Sequence, residues 1–259
     1  MHTHHQPVPL HYKTYGQGDP VIILHGLFGM LDNWMSLGKD LAEHHSVYLV
    51  DQRNHGKSPH TESHSYPDLA ADLLHFCQQH WLHRTAVIGH SMGGKVAMQF
   101  ALEHPDIVER LVVVDIAPVA YQARHTQVIA AMRSLDLQTE SRQALTDQLM
   151  EQLGEASTVL FISKNLTRNK EGGFRWKMNL DTLVASYDGL SGAISSEHAY
   201  EGPTLFIRGE QSDYVTDADW QNIVSLFPNA TLATVPGAGH WVHADQPEMV
   251  LKQIREFLG

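Results

Sequence analysis

Ser91 stands in Gly89-His90-Ser91-Met92-Gly93, directly after the apolar run TAVIGH (85–90) and at the head of a segment with helical spacing, 92–104. A hydroxyl needs no glycine around it in order to hydrogen-bond. Glycines two places either side are required when a strand turns into a helix so tightly that a Cβ there would collide. Such a turn presents Oγ at the carboxyl end of a sheet, beside a helix N-terminus whose partial positive charge favours a developing oxyanion. The chemistry this suits is nucleophilic acyl transfer, with the Met92 N–H as one oxyanion donor. An incidental serine in a glycine-rich turn is the plainer alternative, and the strand before and helix after weigh against it.

A serine nucleophile needs a second donor, a base and an acid. VIILHGLFG (21–29) places a glycine-flanked loop after an earlier strand, and there the Leu27 N–H is the candidate donor. His25 in that loop reads as a brace and Phe28 as a pocket wall. In TVPGAGHWVHADQP, Gly-Ala-Gly gives His240 room to swing toward the serine, whereas His243 is already heading into a helix. His240 is therefore the candidate base. Two carboxylates compete to orient it. Asp115 ends the buried run LVVVDI, where an unpaired carboxylate among apolar neighbours would be costly. Asp213 follows a later strand in LFIRGEQSDYV, beside Ser212. Asp115 is preferred, with Asp213 second and Ser212 as a hydrogen-bond partner. Either choice keeps the chain order Ser, Asp, His.

These residues need a scaffold that brings distant loops to one edge. VIIL (21–24), VYLV (47–50), TAVI (85–88), LVVVDI (111–116), TLFI (204–207) and ATLATV (230–235) read as strands. Continuous apolar runs of this kind suit a parallel sheet covered on both faces. Helical spacing recurs between them at 32–44, 66–80, 92–104, 217–226 and 247–258, so βαβ units and a doubly wound α/β sheet are expected. HYKTYGQG (11–18) reads as an antiparallel edge strand ending in a turn. From 118 to 202 the strand signal gives way to helical stretches at 121–135, 141–153, 157–165 and 180–185. This segment is expected to be a helical cap inserted into a core made of 1–117 and 203–259.

The composition narrows the function classes. A chain of 259 residues with a formal charge of −11 is a poor match for nucleic acid or an anionic membrane surface. The single cysteine, Cys77, excludes an intrachain disulfide and reads as a small buried hydrophobe. Most of the 19 histidines lie singly in polar stretches, and no His-Glu-x-x-His or comparable metal spacing occurs. His2, His4 and His5 read as a mobile terminal group rather than a metal site. The opening MHTHHQPVPL has neither the basic nor the apolar region of an export signal, and no run is long enough to span a bilayer, so a cytoplasmic protein is expected. The sequence favours neither a monomer nor a homo-oligomer.

HGLFG, DQRNHGKSP, GHSMGGKVAM, DIAPV and GAGHWVHA together resemble the α/β-hydrolase superfamily, and within it the small bacterial YbfF-type esterase/acyl-CoA thioesterase group. The resemblance runs over nearly the whole chain and is weakest in the cap and the first ten residues. It implies a Ser91 nucleophile, a His240 base, an acid on the strand carrying Asp115, and Ser212 near the histidine. It also implies that Asp51 and Arg53, in the loop 51–59, buttress the site. The expected activity is hydrolysis of a carboxylic ester or an acyl-CoA thioester through an acyl-enzyme, without cofactor or metal. A serine nucleophile argues against the dehalogenases and epoxide hydrolases of this fold. A carbon–carbon bond hydrolase or lyase, a haloperoxidase-like side activity and a non-catalytic binding protein are the alternatives. Between 164 and 177, Lys164, Arg168, Lys170, Arg175 and Lys177 face a single acid, Glu171. Lys170 and Arg175 are thus candidates to meet coenzyme A phosphates, against the plainer reading of a solvated charged turn.

Overall fold

Six apolar runs and one amphipathic edge segment assemble into a seven-stranded sheet. The computed structural model describes residues 6–139 and 141–259, so the His2, His4 and His5 group lies outside them. In chain order the core elements begin with β1 (Tyr12–Tyr15), β2 (Asp19–Leu24), α1 (Met35–Leu41), β3 (His45–Val50) and α2 (Tyr66–Gln79). They continue with β4 (Thr85–His90), α3 (Met92–Glu103) and β5 (Val108–Val114). The insertion then supplies α4 (Thr126–Ser134), α5 (Arg142–Leu153), α6 (Ala156–Ser163), β6 (Leu166–Arg168), β7 (Phe174–Trp176), α7 (Leu180–Ala185) and α8 (Tyr187–Ser191). The core resumes with β8 (Thr204–Gly209), α9 (Trp220–Leu226), β9 (Ala230–Val235), α10 (Val242–Asp245) and α11 (Pro247–Leu258). The strand order is β1-β3-β2-β4-β5-β8-β9, parallel except for β1, which pairs antiparallel with β3.

Burial on both faces explains why β4 and β5 read as unbroken apolar runs rather than alternating ones. One face packs Ile22, Val87, Val113 and Phe206 against α2, α3 and the insertion. The other packs Ile23, Ile88, Val112 and Ile207 against α1 and α11. Helix α11 buries Val250, Ile254 and Leu258, spaced by four residues as one helical face requires. Ser65 caps α2 by accepting from the Asp68 N–H at 3.3 Å, with Pro67 in the first turn, where its missing N–H costs nothing. No helix among the described residues is long and apolar enough to cross a membrane.

The segment 118–202 departs from its expected form in two places. It contains a short antiparallel hairpin, β6–β7, where helical stretches alone were anticipated. Three residues per strand are too few to show alternation. The reversal itself depends on Gly172 and Gly173, both at positive φ (102° and 69°), which side chains rarely adopt. The helix expected from 121 begins only at Thr126. The reason is that Tyr121 is committed elsewhere: its N–H donates to the Ser191 carbonyl at 2.8 Å, while its hydroxyl accepts from the Ala117 N–H at 2.8 Å. The outgoing and returning chains are thereby tied together, and the Ile194 N–H bond to the Pro118 carbonyl at 3.0 Å repeats the tie.

Candidate active site

The turn at Ser91 is as tight as its glycines demand. A Cβ at Gly89 would run into the Gly93 backbone, and one at Gly93 into the carbonyls of Leu24 and His25. Ser91 itself sits at φ 53°, ψ −120°, outside the broad allowed regions, at a cost on the order of 1–3 kcal/mol that the surrounding fold must hold. Its N–H donates to the Val114 carbonyl at 3.0 Å, which fixes the turn to the end of β5. The side chain then stands at the head of α3.

Three side chains from three separate loops meet there in a line. His240 Nε2 lies 3.0 Å from Ser91 Oγ, and His240 Nδ1 lies 2.8 Å from Asp115 Oδ2. Asp115 is fully buried, at φ 52°, one residue beyond β5. Its Oδ1 accepts from the Gly209 N–H at 3.0 Å, and its Oδ2 accepts from the Ser212 hydroxyl. A carboxylate given this many donors is held in one orientation and keeps its charge compensated. Asp213, the other candidate acid, points outward and pairs with Arg124. His243, the other candidate base, is buried and stacked on Trp34 with ring centroids 4.3 Å apart, in contact with His90. The geometry therefore gathers Ser91, His240, Asp115 and Ser212, and leaves Asp213 and His243 outside the line.

Leu27 and Met92 both line the cavity that opens at Ser91, and neither N–H donates to another group among the described residues. The neighbouring Phe28 N–H is already spent on His55 Nε2 at 3.2 Å. Phe28 sits at φ 60° and is buried behind the cavity, touching His125, so it is not the pocket wall expected. Tyr66, Tyr121, Tyr187 and Leu190 form the wall instead. Lys170 and Arg175 lie exposed on the β6–β7 hairpin and line no part of this cavity. That hairpin turns its buried Phe174 inward under the guanidinium groups of Arg142 and Arg168.

A buried polar layer supports the loops. Asp51 accepts from the Leu31 and Lys57 N–H groups at 2.8 and 2.9 Å, and Arg53 forms a two-armed pair with Asp72 at 2.6 and 2.7 Å. His25 donates through Nδ1 to the Gly26 carbonyl at 2.8 Å and accepts through Nε2 from the Gln52 N–H at 3.1 Å. His55 likewise donates to the Arg53 carbonyl at 2.9 Å while accepting from Phe28. A ring that accepts on one nitrogen and donates on the other must be neutral. His90, the second residue of the motif, donates through Nε2 to the His240 carbonyl at 2.9 Å and so pins the loop that carries the base. Tyr214 stacks on the His240 ring, centroids 3.8 Å apart. Neither His90 nor Tyr214 was legible as a site residue. The first was hidden as the variable position of a motif, and the second lies in a loop with no periodicity.

Burial holds His25, His55 and His90 below the ordinary imidazole range and pushes His64 and His243 down to about 3. The unfolded chain regains ordinary histidines near pH 6.5 and so binds protons that the folded chain refuses. Stability is therefore complete above pH 6.5 and falls as pH drops from there toward 3. Each such histidine contributes up to about 1.4 kcal/mol per pH unit within that window. Urea unfolding at pH 7.5 and pH 5.0 should show a loss of several kcal/mol; equal stabilities would contradict the neutral, buried layer.

Comparison with known proteins places the fold in a family. Residues 19–247 match the family model described as alpha/beta hydrolase fold. The chain is 40% identical to the sn-1-specific diacylglycerol lipase ABHD11 of Mus musculus over 98% of its own length and 86% of the relative's. It is 35% identical to esterase YbfF of Escherichia coli over 92% of both chains. A solved structure titled marine microorganism esterase superposes with a TM-score of 0.95 at 41% identity, covering 96% of this chain and 99% of that one.

Proposed function

The chain belongs to the alpha/beta hydrolase family, and on that footing we propose that it is a serine hydrolase of carboxylic esters. The observation that carries this reading is the continuous hydrogen-bonded line Ser91–His240–Asp115 at the mouth of a cavity. Ser91 Oγ attacks the ester carbonyl while His240 Nε2 takes its proton, and Asp115 keeps the other proton on Nδ1 and stabilises the imidazolium that forms. The tetrahedral oxyanion lies against the Leu27 and Met92 N–H groups, which are free to receive it at the N-terminus of α3. Collapse expels the alcohol, protonated by His240, and leaves an acyl-enzyme. Water, activated by the same imidazole, then releases the acid.

The segment 118–202 acts as a cap in this account. Several core contacts support that role: the Tyr66 hydroxyl bonds to the Leu190 carbonyl at 2.7 Å, Asn165 Nδ2 to the Phe28 carbonyl at 2.6 Å, and the Phe161 ring lies 4.1 Å from the Trp241 ring beside the base. The relatives' printed names, esterase and diacylglycerol lipase, point to the same bond type. The same line would attack a thioester, so acyl-CoA cleavage belongs in the test. Purified protein assayed on 4-nitrophenyl esters and acyl-CoAs should give saturable ester hydrolysis that disappears in Ser91→Ala. Ester turnover that persists in that variant would refute the reading.

A further inference from the structure

Among the described residues, the cavity at Ser91 is lined by two cations, Lys95 and Arg124, and by no aspartate or glutamate. That is unexpected in a chain with 29 acids against 18 lysines and arginines. The two cations are not equivalent. Arg124 lies at the rim, over the Tyr214 ring, and pairs with Asp213. Lys95 is buried one helical turn after Ser91 on α3, and its N–H donates to the Ser91 carbonyl at 3.1 Å. Its Nζ donates to the carbonyls of Val119, at 2.8 Å, and Gly192. It also sits over the rings of Tyr121 and Tyr66, 4.8 and 5.8 Å from their centroids. No carboxylate pairs with it among the described residues.

Two neutral carbonyls and two ring faces hold the ammonium but do not cancel its charge. Burial accordingly lowers the lysine to about 8. An ammonium carries three N–H groups, and among the described residues two oxygens accept from this one. Taking a charge out of water costs several kcal/mol, and the two carbonyl bonds offset that cost without supplying a counter-charge. A tie between two backbone carbonyls needs donors only; it does not need a full charge. What the position lacks is an anion, and Lys95 lines the same cavity as Ser91, into which a bound acyl group would extend.

We propose that Lys95 recognises a carboxylate at the far end of the substrate's acyl group, so that half-esters of short dicarboxylic acids are preferred. This rests on the ester-hydrolase reading above. Ser91 and Lys95 lie one turn apart on α3 and line the same cavity, so an acyl group held at Ser91 shares that space with the ammonium. Tyr66, Tyr121, Tyr187 and Leu190 wall the cavity between Ser91 and Lys95 and would flank such a chain. Gln122 and Ser191 also line it and add hydrogen-bonding groups near the same end.

The test compares mono-4-nitrophenyl glutarate with 4-nitrophenyl pentanoate, which share a five-carbon acyl chain and differ in the terminal carboxylate. In the wild type the ratio of kcat/KM, glutarate over pentanoate, should exceed ten. Lys95→Met should lower that ratio roughly ten- to a hundredfold, the scale of a charge-assisted hydrogen bond in a buried site. A merely structural tie between the two ends of the cap would lower both activities together and leave the ratio unchanged, which would overturn the proposal. The wild-type ratio needs no variant: a value not above one overturns the proposal even if Lys95→Met fails to fold. Pentanoate turnover without glutarate preference refutes this inference alone. Absence of turnover on both esters refutes the hydrolase reading, and this inference with it.

Discussion

Ser91→Ala is expected to lower kcat for a 4-nitrophenyl ester by at least about 10⁴-fold, on the scale seen when a triad nucleophile is removed. The size follows from the role. No other hydroxyl in the site is hydrogen-bonded to His240, because the Ser212 hydroxyl is spent on Asp115 and the Tyr121 hydroxyl on the Tyr214 carbonyl at 2.6 Å. The fold should survive. The bond that fixes the turn runs from the Ser91 backbone, and alanine removes only Oγ and its contact with His240 Nε2. A thermal melt within a few degrees of wild type, alongside the lost turnover, separates chemistry from folding. Retained turnover would remove Ser91 from the reaction.

Asp115→Asn is expected to cost about 10⁴-fold in kcat, and Asp213→Asn less than about threefold. The contrast comes from what each carboxylate faces. Asp115 Oδ2 accepts from His240 Nδ1, so the imidazole keeps its lone pair on Nε2, toward Ser91. An asparagine there can present its amide N–H instead, which turns the ring to the wrong tautomer and leaves Nε2 unable to take the serine proton. Asp213 is exposed, and its partner Arg124 stays over the Tyr214 ring without it. Steady-state kinetics on both variants, with matched circular dichroism, decides between them. The reverse ranking would move the acid to the loop after β8.

Much of this site could be read before any coordinates because its constraints are local. The glycine at 89 answers a steric demand made within five residues, by the Gly93 backbone, and Gly93 answers one made by the end of β2; both would collide with backbone if they carried a Cβ. Asp115 was legible because a carboxylate closing an apolar strand must have partners, and Gly209, Ser212 and His240 are those partners. The sequence ranked Asp115 over Asp213 but kept both, since the loop after β8 places Ser212 inward and Asp213 outward by its own turn. Lys95 was hidden for a different reason. It occupies an ordinary helical position four residues after Ser91, and its meaning depends on carbonyls 24 and 97 residues away. Phe28, expected in the cavity wall, is instead buried beside His125, which lines the cavity in its place. The charges of the β6–β7 hairpin left a solvated turn and a phosphate contact both open in the sequence, where only their density could be seen; Lys170 and Arg175 lie exposed there.

The most direct measurement of the central claim is the site of covalent modification by a fluorophosphonate. The reagent reacts only with a serine that a neighbouring base activates and whose phosphoryl oxygen the oxyanion donors can receive. Intact mass followed by peptide mapping should find a single adduct, on Ser91, and none in Ser91→Ala, with Asp115→Asn labelled far more slowly. An unlabelled wild-type protein, or an adduct on any other residue, would contradict the account.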